Sequence, residues 1–278
     1  MAALVNTEQS EAWNGWEGAH WAEAPEFYNG MLDGFNDALF EAARLAPDSA
    51  VLDIGCGTGR TALLAARRAP RGRVLGVDLS APMLERARAD AAAAGLAARV
   101  TFEQGDAQVH PWGEGRFDVV VSRGGVMFFA DLVAGFAHLR EALRPGGRLA
   151  AVVAVPADPE GEYARATAAL RGLVQGPSPA GRAMMALADE ERIREVLSGA
   201  GFTGTAMTTV VADQVLGRDA EEAAAGICGM GAVRRALREA GSGERDRVLR
   251  ELADGLRPFV RDGAVRIPGT VRLVTADA

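Results

Sequence analysis

Residues 51–60 read VLDIGCGTGR, and the fold prediction starts from them. An apolar run of β-forming residues reaches Asp53 and then meets three glycines at alternate positions, Gly55, Gly57 and Gly59. Residues 61–69 follow with a helix-forming composition. The pattern predicts a strand, a tight turn and a helix. Because glycine has no Cβ and tolerates positive φ, a ligand can lie directly against the backbone of such a turn.

The charge before the turn distinguishes two nucleotide cofactors. Gly57, Gly59 and Ala62 also satisfy the looser G-x-G-x-x-A pattern of nicotinamide dinucleotide sites. Asp53, however, opposes a pyrophosphate and suits a cofactor that carries an ammonium and a sulfonium, such as S-adenosylmethionine (SAM). The sequence therefore favours SAM and leaves a nicotinamide dinucleotide as the alternative.

Acids follow the next two predicted strands as well. Residues 73–77 are predicted to form the second strand, and Asp78 follows them, where an acid can bind a ribose diol. Residues 100–104 are predicted to form the third strand, and Asp106 follows, where a carboxylate can accept a hydrogen bond from an adenine amino group. Acids at three successive strand ends again favour SAM over a dinucleotide.

Five segments together resemble a known family. They are VLDIGCGTGR, GVDLS, QGDAQ, FDVVVSR and LRPGG, and their order and spacing resemble those of class I SAM-dependent methyltransferases. The resemblance covers residues 45–155 densely and extends more loosely to the C-terminus. It implies an α/β, Rossmann-like fold with a seven-stranded sheet that is mostly parallel, its last strand antiparallel. It also places the cofactor over the carboxyl ends of the first strands.

The resemblance assigns a set of cofactor contacts to this chain. These residues would hold SAM and, after methyl transfer, S-adenosyl-L-homocysteine (SAH): Asp53, Gly55, Gly57, Gly59, Asp78, Leu79, Met83, Asp106, Ala107, Ser122 and Trp21.

Composition limits the class of protein. The chain has 278 residues, 49% hydrophobic and 24% charged, as expected for one elaborated globular domain. Its net charge of -7 argues against nucleic acid as the main partner. No lysine occurs in the sequence, so all 30 basic residues are arginines, which excludes Schiff-base chemistry on a lysine.

Cysteines and hydropathy predict a cytoplasmic protein. Cys56 and Cys228 are isolated and have neither disulfide nor metal-ligand spacing. The first ten residues lack the features of a signal peptide, and no apolar run approaches the ~18 residues that a membrane span needs. We therefore expect no membrane partner and no metal, and the sequence leaves the oligomeric state open.

The order of predicted elements divides the chain into six parts. Strands are predicted over 50–54, 73–77, 100–104, 117–122, 148–155, 204–211 and 270–275, with helices between most of them. Both insertions leave from carboxyl ends of strands, so we expect them to form a lid. The parts are an N-terminal helical lid (1–46), a Rossmann-like core (47–155), a first cap insertion (156–187), a core helix with the sixth strand (188–212), a second helical cap insertion (213–262) and the final strand (263–278).

The N-terminal region is rich in aromatic residues. Trp13, Trp16 and Trp21 occur there, and a helical pattern of apolar residues runs from Pro25 to residue 45. In the resembled family these helices lie across the cofactor and help to wall the substrate site. The aromatic rings either dock the helices or contact a ligand, and Trp21 and Tyr28 are the candidates for ligand contact.

Methyl transfer makes few demands on catalytic side chains. The sulfonium already activates the methyl group, so the protein must hold a nucleophile about 3 Å away, aligned and dry. A general base is needed only where the nucleophile must lose a proton. His20 is the best candidate, whereas His110 and His138 are interpreted as structural. Arg123, after the fourth strand, either holds a substrate anion or pairs with a lid carboxylate.

The sequence thus predicts a methyltransferase that acts on a small-molecule acceptor from secondary metabolism. The predicted acceptor-binding residues are Tyr28, Arg123, Met127 and Tyr163. The Asn/Asp-Pro-Pro-Tyr sequence of amino-methylating members that act on nucleic acids or glutamine is missing after the fourth strand, which argues against those substrates. Two alternatives stay open. One is a nicotinamide oxidoreductase, and the other is a protein of this fold with a non-methylating role, such as a cyclase or a binding protein.

Overall fold

The fold is seen in a computed structural model that describes residues 4–173 and 179–278. Residues 174–178, within the predicted first cap insertion, lie outside this range. In chain order, the helices are α1 (Thr7–Asn14), α2 (Trp16–Glu23), α3 (Pro25–Leu32), α4 (Asn36–Ala43), α5 (Arg60–Arg68), α6 (Ala81–Ala93), α7 (Leu132–Ala142), α8 (Glu162–Ala166), α9 (Pro179–Met184), α10 (Glu190–Gly199), α11 (Ala220–Gly229), α12 (Gly231–Ala240) and α13 (Ser242–Leu256).

One mixed sheet organises the chain. Its strands are β1 (Ala50–Ile54), β2 (Arg73–Asp78), β3 (Val100–Gln104), β4 (Phe117–Arg123), β5 (Leu143–Ala154), β6 (Thr203–Gly217), β7 (Val260–Arg261) and β8 (Ala264–Asp277). The order is β3-β2-β1-β4-β5-β8-β6, and the two-residue β7 pairs with β8. β1 to β5 run parallel, and β8 runs antiparallel to both β5 and β6. The predicted sheet of seven main strands with an antiparallel last strand is confirmed.

Alternation along the strands builds a core on each face of the sheet. In β1, Leu52 and Ile54 face a cluster with α7 and α10, whereas Val51 faces a cluster with α4, α5 and α6. This is the period of two that places successive side chains on opposite faces. Both faces are therefore covered by helices, as a parallel sheet requires.

The last two long strands extend beyond the edge where β5 ends. The final β5 pair is Ala154 with Val271, yet β6 and β8 stay paired as far as Gly217 and Val265. The sequence predicted much shorter strands, 204–211 and 270–275, because Asp213, Gln214, Pro268 and Gly269 interrupt the β pattern. Tertiary contacts override that pattern, since α3 packs closely on the extension: a Cβ on Gly30 would lie 2.3 Å from the Val215 carbonyl oxygen.

The extension carries a third apolar core. Leu216, Val265 and Ile267 pack there against residues of α11 and α13, including Ile227 and Leu252. The predicted second cap insertion is therefore a packed helical body that rises from the strand ends.

Candidate active site

The glycine turn joins β1 to α5 at the carboxyl edge of the sheet. All three glycines have positive φ, namely 64° at Gly55, 53° at Gly57 and 82° at Gly59. A Cβ at Gly55 would lie 2.5 Å from the Cα of Gly125, and one at Gly59 would lie 2.8 Å from the ring of Phe102. At Gly57 the nearest atom is the sulfur of Met83, 3.7 Å away. Gly55 and Gly59 therefore serve close packing, and Gly57 has the open face that a ligand can approach.

Asp78 ties this turn to the end of β2. One carboxylate oxygen accepts a hydrogen bond from the Gly57 N–H at 2.8 Å, and the other accepts one from the Ser80 N–H at 2.8 Å. The side chain is buried, and burial raises its pKa. Each oxygen keeps one lone pair for a further donor, which suits a ribose hydroxyl.

Asp53 is buried beside the turn without a hydrogen-bond partner. The residue is 1% exposed, and neither carboxylate oxygen is bonded within the described part of the chain. Burial raises its pKa to about 7, Arg123 and the nearby backbone N–H of Ala62 oppose the increase, and the charge of Asp78 adds to it. An unpaired buried carboxylate is costly. Asp53 therefore fits a ligand that brings its own donors, such as the ammonium group of the predicted cofactor.

Asp106 has a different environment from the one predicted. One oxygen accepts hydrogen bonds from the backbone N–H groups of Val5 (3.0 Å) and Asn6 (2.8 Å), and the other accepts from the backbone and side-chain amides of Gln108. Four donors use the roughly four acceptor positions of a carboxylate. In this arrangement Asp106 anchors the N-terminal segment, and its predicted contact with an adenine amino group stays a prediction. Ala107, beside it, is buried in the core.

Two other predicted cofactor residues make structural contacts. The Leu79 carbonyl accepts hydrogen bonds from the side chains of Asn14 (2.9 Å) and Gln104 (3.0 Å). The Ser122 hydroxyl donates to the Ile54 carbonyl at 2.8 Å and accepts from the N–H groups that follow β4. Ser122 thus joins the ends of β1 and β4 below the site.

An N-terminal aromatic cluster covers this edge of the sheet. Trp21 and Tyr28 stack at 3.7 Å between ring centroids, and His20 contacts Tyr28 edge-on at 5.8 Å. Trp16 stacks on His20 at 5.0 Å. Trp13 packs edge-on against both Trp21 and Phe128. The Phe128 carbonyl accepts a hydrogen bond from the Asn6 side chain. We name Trp13, Trp16, His20, Trp21, Tyr28 and Phe128 the aromatic cluster.

His20 has the properties of a neutral base. Its ring makes no hydrogen bond within the described residues, and Nε2 would lie 2.9 Å from a Cβ on Gly229. Burial lowers its pKa, Arg234 lowers it further, and Glu23 opposes them. The imidazole is therefore neutral at pH 7 and can accept a proton. In contrast, burial raises the pKa of Tyr28, which stays protonated.

Arg123 pairs with a carboxylate of the N-terminal region. Its guanidinium donates to Asp33 at 2.9 Å, to Asn29 at 2.9 Å and to Asn36 at 3.3 Å. Asp33 also accepts from Arg60, directly after the glycine turn, at 2.6 Å. Burial would raise the pKa of Asp33, but the two arginines together lower it. The sequence left open whether Arg123 holds a substrate anion or pairs with a lid carboxylate. In this structure its partner is the carboxylate of Asp33, in the predicted N-terminal lid.

Two predicted acceptor contacts lie apart from this group. Met127 is 4% exposed in the main core, and its sulfur accepts from the Ala154 N–H at 3.1 Å. Its role as a substrate contact stays a prediction. Tyr163 packs against the third core with Phe27, and burial raises its pKa.

The other two histidines, His110 and His138, contact each other and Trp112. His110 Nε2 lies 2.9 Å from the Glu103 carboxylate, and the His110 carbonyl lies 2.8 Å from His138 Nε2. Both rings pack on Trp112. These contacts agree with the structural interpretation of both histidines.

A cleft of about 940 Å³ opens next to the glycine turn, and none of the predicted cofactor or acceptor residues lines it. It lies between α3, α5, α6 and the β6–β8 extension, and it shares Thr58 and Arg60 with the glycine turn. Arg266 of β8 lines it, a residue for which the sequence carried no signal.

Neither a metal-ligand cluster nor a membrane-spanning helix occurs in the described ranges. Among residues 4–173 and 179–278, no group of His, Cys, Asp and Glu side chains is arranged to hold a metal ion. Within the same ranges, none of the helices combines the length and apolarity needed to cross a bilayer.

Several known proteins are similar to this chain in sequence. A family model described as a methyltransferase domain matches residues 51–147. The chain is 35% identical over 165 residues to a demethylmenaquinone methyltransferase of Thermus thermophilus, and this match covers 55% of the chain and 74% of that enzyme. The chain spans about half the length of two further curated relatives, 49% in each case.

Solved structures share the fold at low identity. Geranyl diphosphate C-methyltransferase from Streptomyces coelicolor A3(2) matches with a TM-score of 0.58 and 16% identity, covering 100% of this chain and 99% of that one. The [4+2]-cyclase SpnF matches with a TM-score of 0.53 and 22% identity, covering 88% of this chain and 80% of that one. The same fold thus occurs in a methyltransferase and in a cyclase.

Proposed function

This chain belongs to the class I SAM-dependent methyltransferases, and from that premise we propose that it transfers the methyl group of SAM to a small-molecule acceptor. The observation that carries the proposal is Asp53, a buried carboxylate with no partner in the described chain, beside a turn whose Gly57 has an open face. A ligand with an ammonium group satisfies this carboxylate, whereas a pyrophosphate is repelled by it and by Asp78.

Individual residues have distinct parts in this proposal. Asp53 would bind the ammonium end of SAM, Gly57 would allow its close approach, and Asp78 would accept from the ribose hydroxyls. The cofactor, when bound, supplies a methyl group already activated by its sulfonium. The aromatic cluster would exclude water from the reacting edge. His20 would accept the proton of an acceptor that must lose one.

Small-molecule specificity is supported by the shape and charge of the protein. The cleft volume of about 940 Å³ falls within the range of about 300–1,000 Å³ that is typical of ligand pockets. The net charge of -7 disfavours nucleic acid. We also infer that the enzyme acts in the cytoplasm on a compound of secondary metabolism. The packed helical body of the second cap insertion (213–262) would enclose that acceptor.

Calorimetric titration with SAH, with NADH as the control ligand, tests the cofactor assignment. We expect micromolar binding of SAH and none of NADH. Asp78→Ala should weaken SAH binding by about 1.5–3 kcal/mol, because charge-assisted hydrogen bonds are lost. Asp131→Ala removes a helix-capping carboxylate at the start of α7 and should leave SAH affinity unchanged. NADH binding, or equal SAH affinity of the two variants, would contradict the assignment.

Product analysis separates methyl transfer from a cyclase-like role of the same fold. Candidate acceptors are incubated with SAM and the enzyme, and mass spectrometry follows the products. A mass increase of one methylene together with SAH formation supports methyl transfer. An isomerised product of unchanged mass, with SAM intact, supports the cyclase alternative.

A further inference from the structure

The cleft beside the glycine turn has an unusual balance of charge. Four arginines line it, and so do four carboxylates. The arginines are Arg60, Arg67, Arg86 and Arg266, and the carboxylates are Glu26, Asp33, Asp90 and Asp213. Because the positive and negative side chains are equal in number, the charge available to a ligand depends on which of them are already paired with each other.

Every lining carboxylate already has an arginine partner. Asp33 binds Arg60 and also Arg123 from outside the cleft, and Asp213 binds Arg261, also from outside.

The other two carboxylates share one lining arginine. Arg86 lies 3.0 Å from Asp90 and 3.4 Å from Glu26. Since Arg123 and Arg261 contribute charge from outside, the cleft and its immediate partners carry two more arginines than carboxylates.

Arg67 and Arg266 are the two lining arginines that have no carboxylate partner among the described residues. Neither side chain has a hydrogen bond or ion pair with any residue in the described ranges. Arg67 is exposed on α5, where it shares the cleft-facing side of the helix with Arg60. Two unpaired guanidinium groups therefore face one cleft.

Arg266 is the more constrained of the two. Its neighbours in β8, Val265 and Ile267, point into the third core, so alternation along the strand directs Arg266 to the opposite face and the cleft. Its Nε is shielded from solvent and has no acceptor within the described chain. A shielded donor of this kind normally has a partner.

We propose that this cleft binds the oxyanion group of the methyl acceptor, a carboxylate or a phosphate, through Arg266 and Arg67. Guanidinium groups match the planar geometry of such anions and bind them with charge-assisted hydrogen bonds. The cleft includes Thr58 of the glycine turn and Arg60 directly after it, and this end of the cleft is where an acceptor anchored at Arg266 would have to approach the cofactor. The acceptor role rests on the proposed methyltransferase function, and the anion site itself rests on the arginines.

Titration of two simple probes into the full-length protein tests the site. Inorganic pyrophosphate represents phosphate and citrate represents carboxylate, and each is titrated calorimetrically with and without saturating SAH. The variants are Arg266→Gln and Arg67→Gln. The matched control is Arg250→Gln, which removes an exposed arginine of α13 that is also unpaired within the described residues.

We expect at least one probe to bind, with an affinity that falls as salt rises. Each cleft variant should weaken that probe about tenfold, as expected for a lost charge-assisted hydrogen bond, while Arg250→Gln has no effect and SAH affinity is unchanged in all three. The tighter probe identifies the anion as phosphate or carboxylate.

Three results would overturn the proposal: no binding of either probe, equal loss in Arg250→Gln, or competition between the probe and SAH, which would place the anion in the cofactor site. If SAH fails to bind while the probe still depends on Arg266, the methyltransferase proposal falls and the oxyanion site stands.

Discussion

Arg123 at the end of β4 and Asp33 before α4 form an ion pair of 2.9 Å between residues 90 positions apart in the sequence. The Arg123 side chain is 8% exposed, and Asp33 also holds Arg60 of the first turn of α5. This pair connects the N-terminal helices to the glycine turn and to the strand that faces the methyl donor in the resembled fold.

Removal of the Asp33 charge should destabilise the protein. Asp33→Asn leaves the buried Arg123 without its carboxylate, and the expected loss of unfolding free energy is about 2–3 kcal/mol, since breaking a buried pair costs more than breaking an exposed one. Urea denaturation measures this loss. Asp37→Asn is the control, because Asp37 also pairs with an arginine, Arg68, but is 95% exposed. Equal urea midpoints for the two variants would contradict the structural role of Asp33.

Cofactor binding should release a proton from Asp53. With a pKa of about 7 in the free protein, Asp53 is about nine-tenths protonated at pH 6, and an ammonium ligand favours its charged form. Calorimetric titration of SAH at pH 6 in two buffers of different ionisation enthalpy should therefore show release of about 0.9 proton. The release should disappear in Asp53→Asn. A buffer-independent enthalpy in the wild-type protein would place the ammonium group elsewhere.

The same group should make stability depend on pH. The pKa of Asp53 is raised above its ordinary value of 3.8, so the folded state binds the proton more tightly than the unfolded state. Its stabilising contribution is complete below about pH 4 and is lost as the pH rises through about 7. The free energy of unfolding of the wild-type protein should therefore fall more steeply than that of Asp53→Asn between pH 5 and pH 8. Parallel curves from urea denaturation would remove Asp53 as the cause.

Gly57→Ala should affect the cofactor more than the fold. Its φ of 53° strains an alanine by about 1–2 kcal/mol, and the new methyl group occupies the open face of the turn. Gly95→Ala is the matched control, since Gly95 has a φ of 68° and nothing within 4 Å of an added Cβ. Both variants should lower the thermal midpoint similarly, and only Gly57→Ala should weaken SAH binding, by about tenfold or more. Similar SAH affinities would show that no ligand approaches Gly57.

His20→Ala tests the proposed base. If His20 accepts the acceptor's proton, the variant should lose about 10²–10⁴ in turnover while SAH affinity is kept. Because burial lowers the pKa of His20, wild-type activity should fall on acidification at a lower pH than an ordinary imidazole would give, as the ring becomes charged. His138→Ala is the control, since His138 contacts a backbone carbonyl remote from the site. A fully active His20→Ala enzyme would show that the acceptor needs no base.

Sequence patterns predicted much of the core of the protein. Alternation and glycine spacing at residues 50–60 predicted β1, the turn and α5, because local backbone preferences govern these elements. The extension of β6 and β8 was missed, since Asp213 and Pro268 do not read as strand residues. They are paired there because α3 and the third core pack on the two strands.

Local sequence patterns were enough to predict the succession of strands and helices in the core, the glycine turn and the carboxylates that follow three parallel strands, since these depend on residues close together in the chain. The tertiary structure decided what each side chain contacts. It paired Asp106 with the backbone of Asn6, 100 residues away, placed Met127 in the core, and left the Asp53 carboxylate and the Arg266 Nε without a hydrogen-bond partner among the described residues. The physical reason is that a hydrogen bond or ion pair requires approach to about 3 Å, and only the packed fold sets which distant groups come that close.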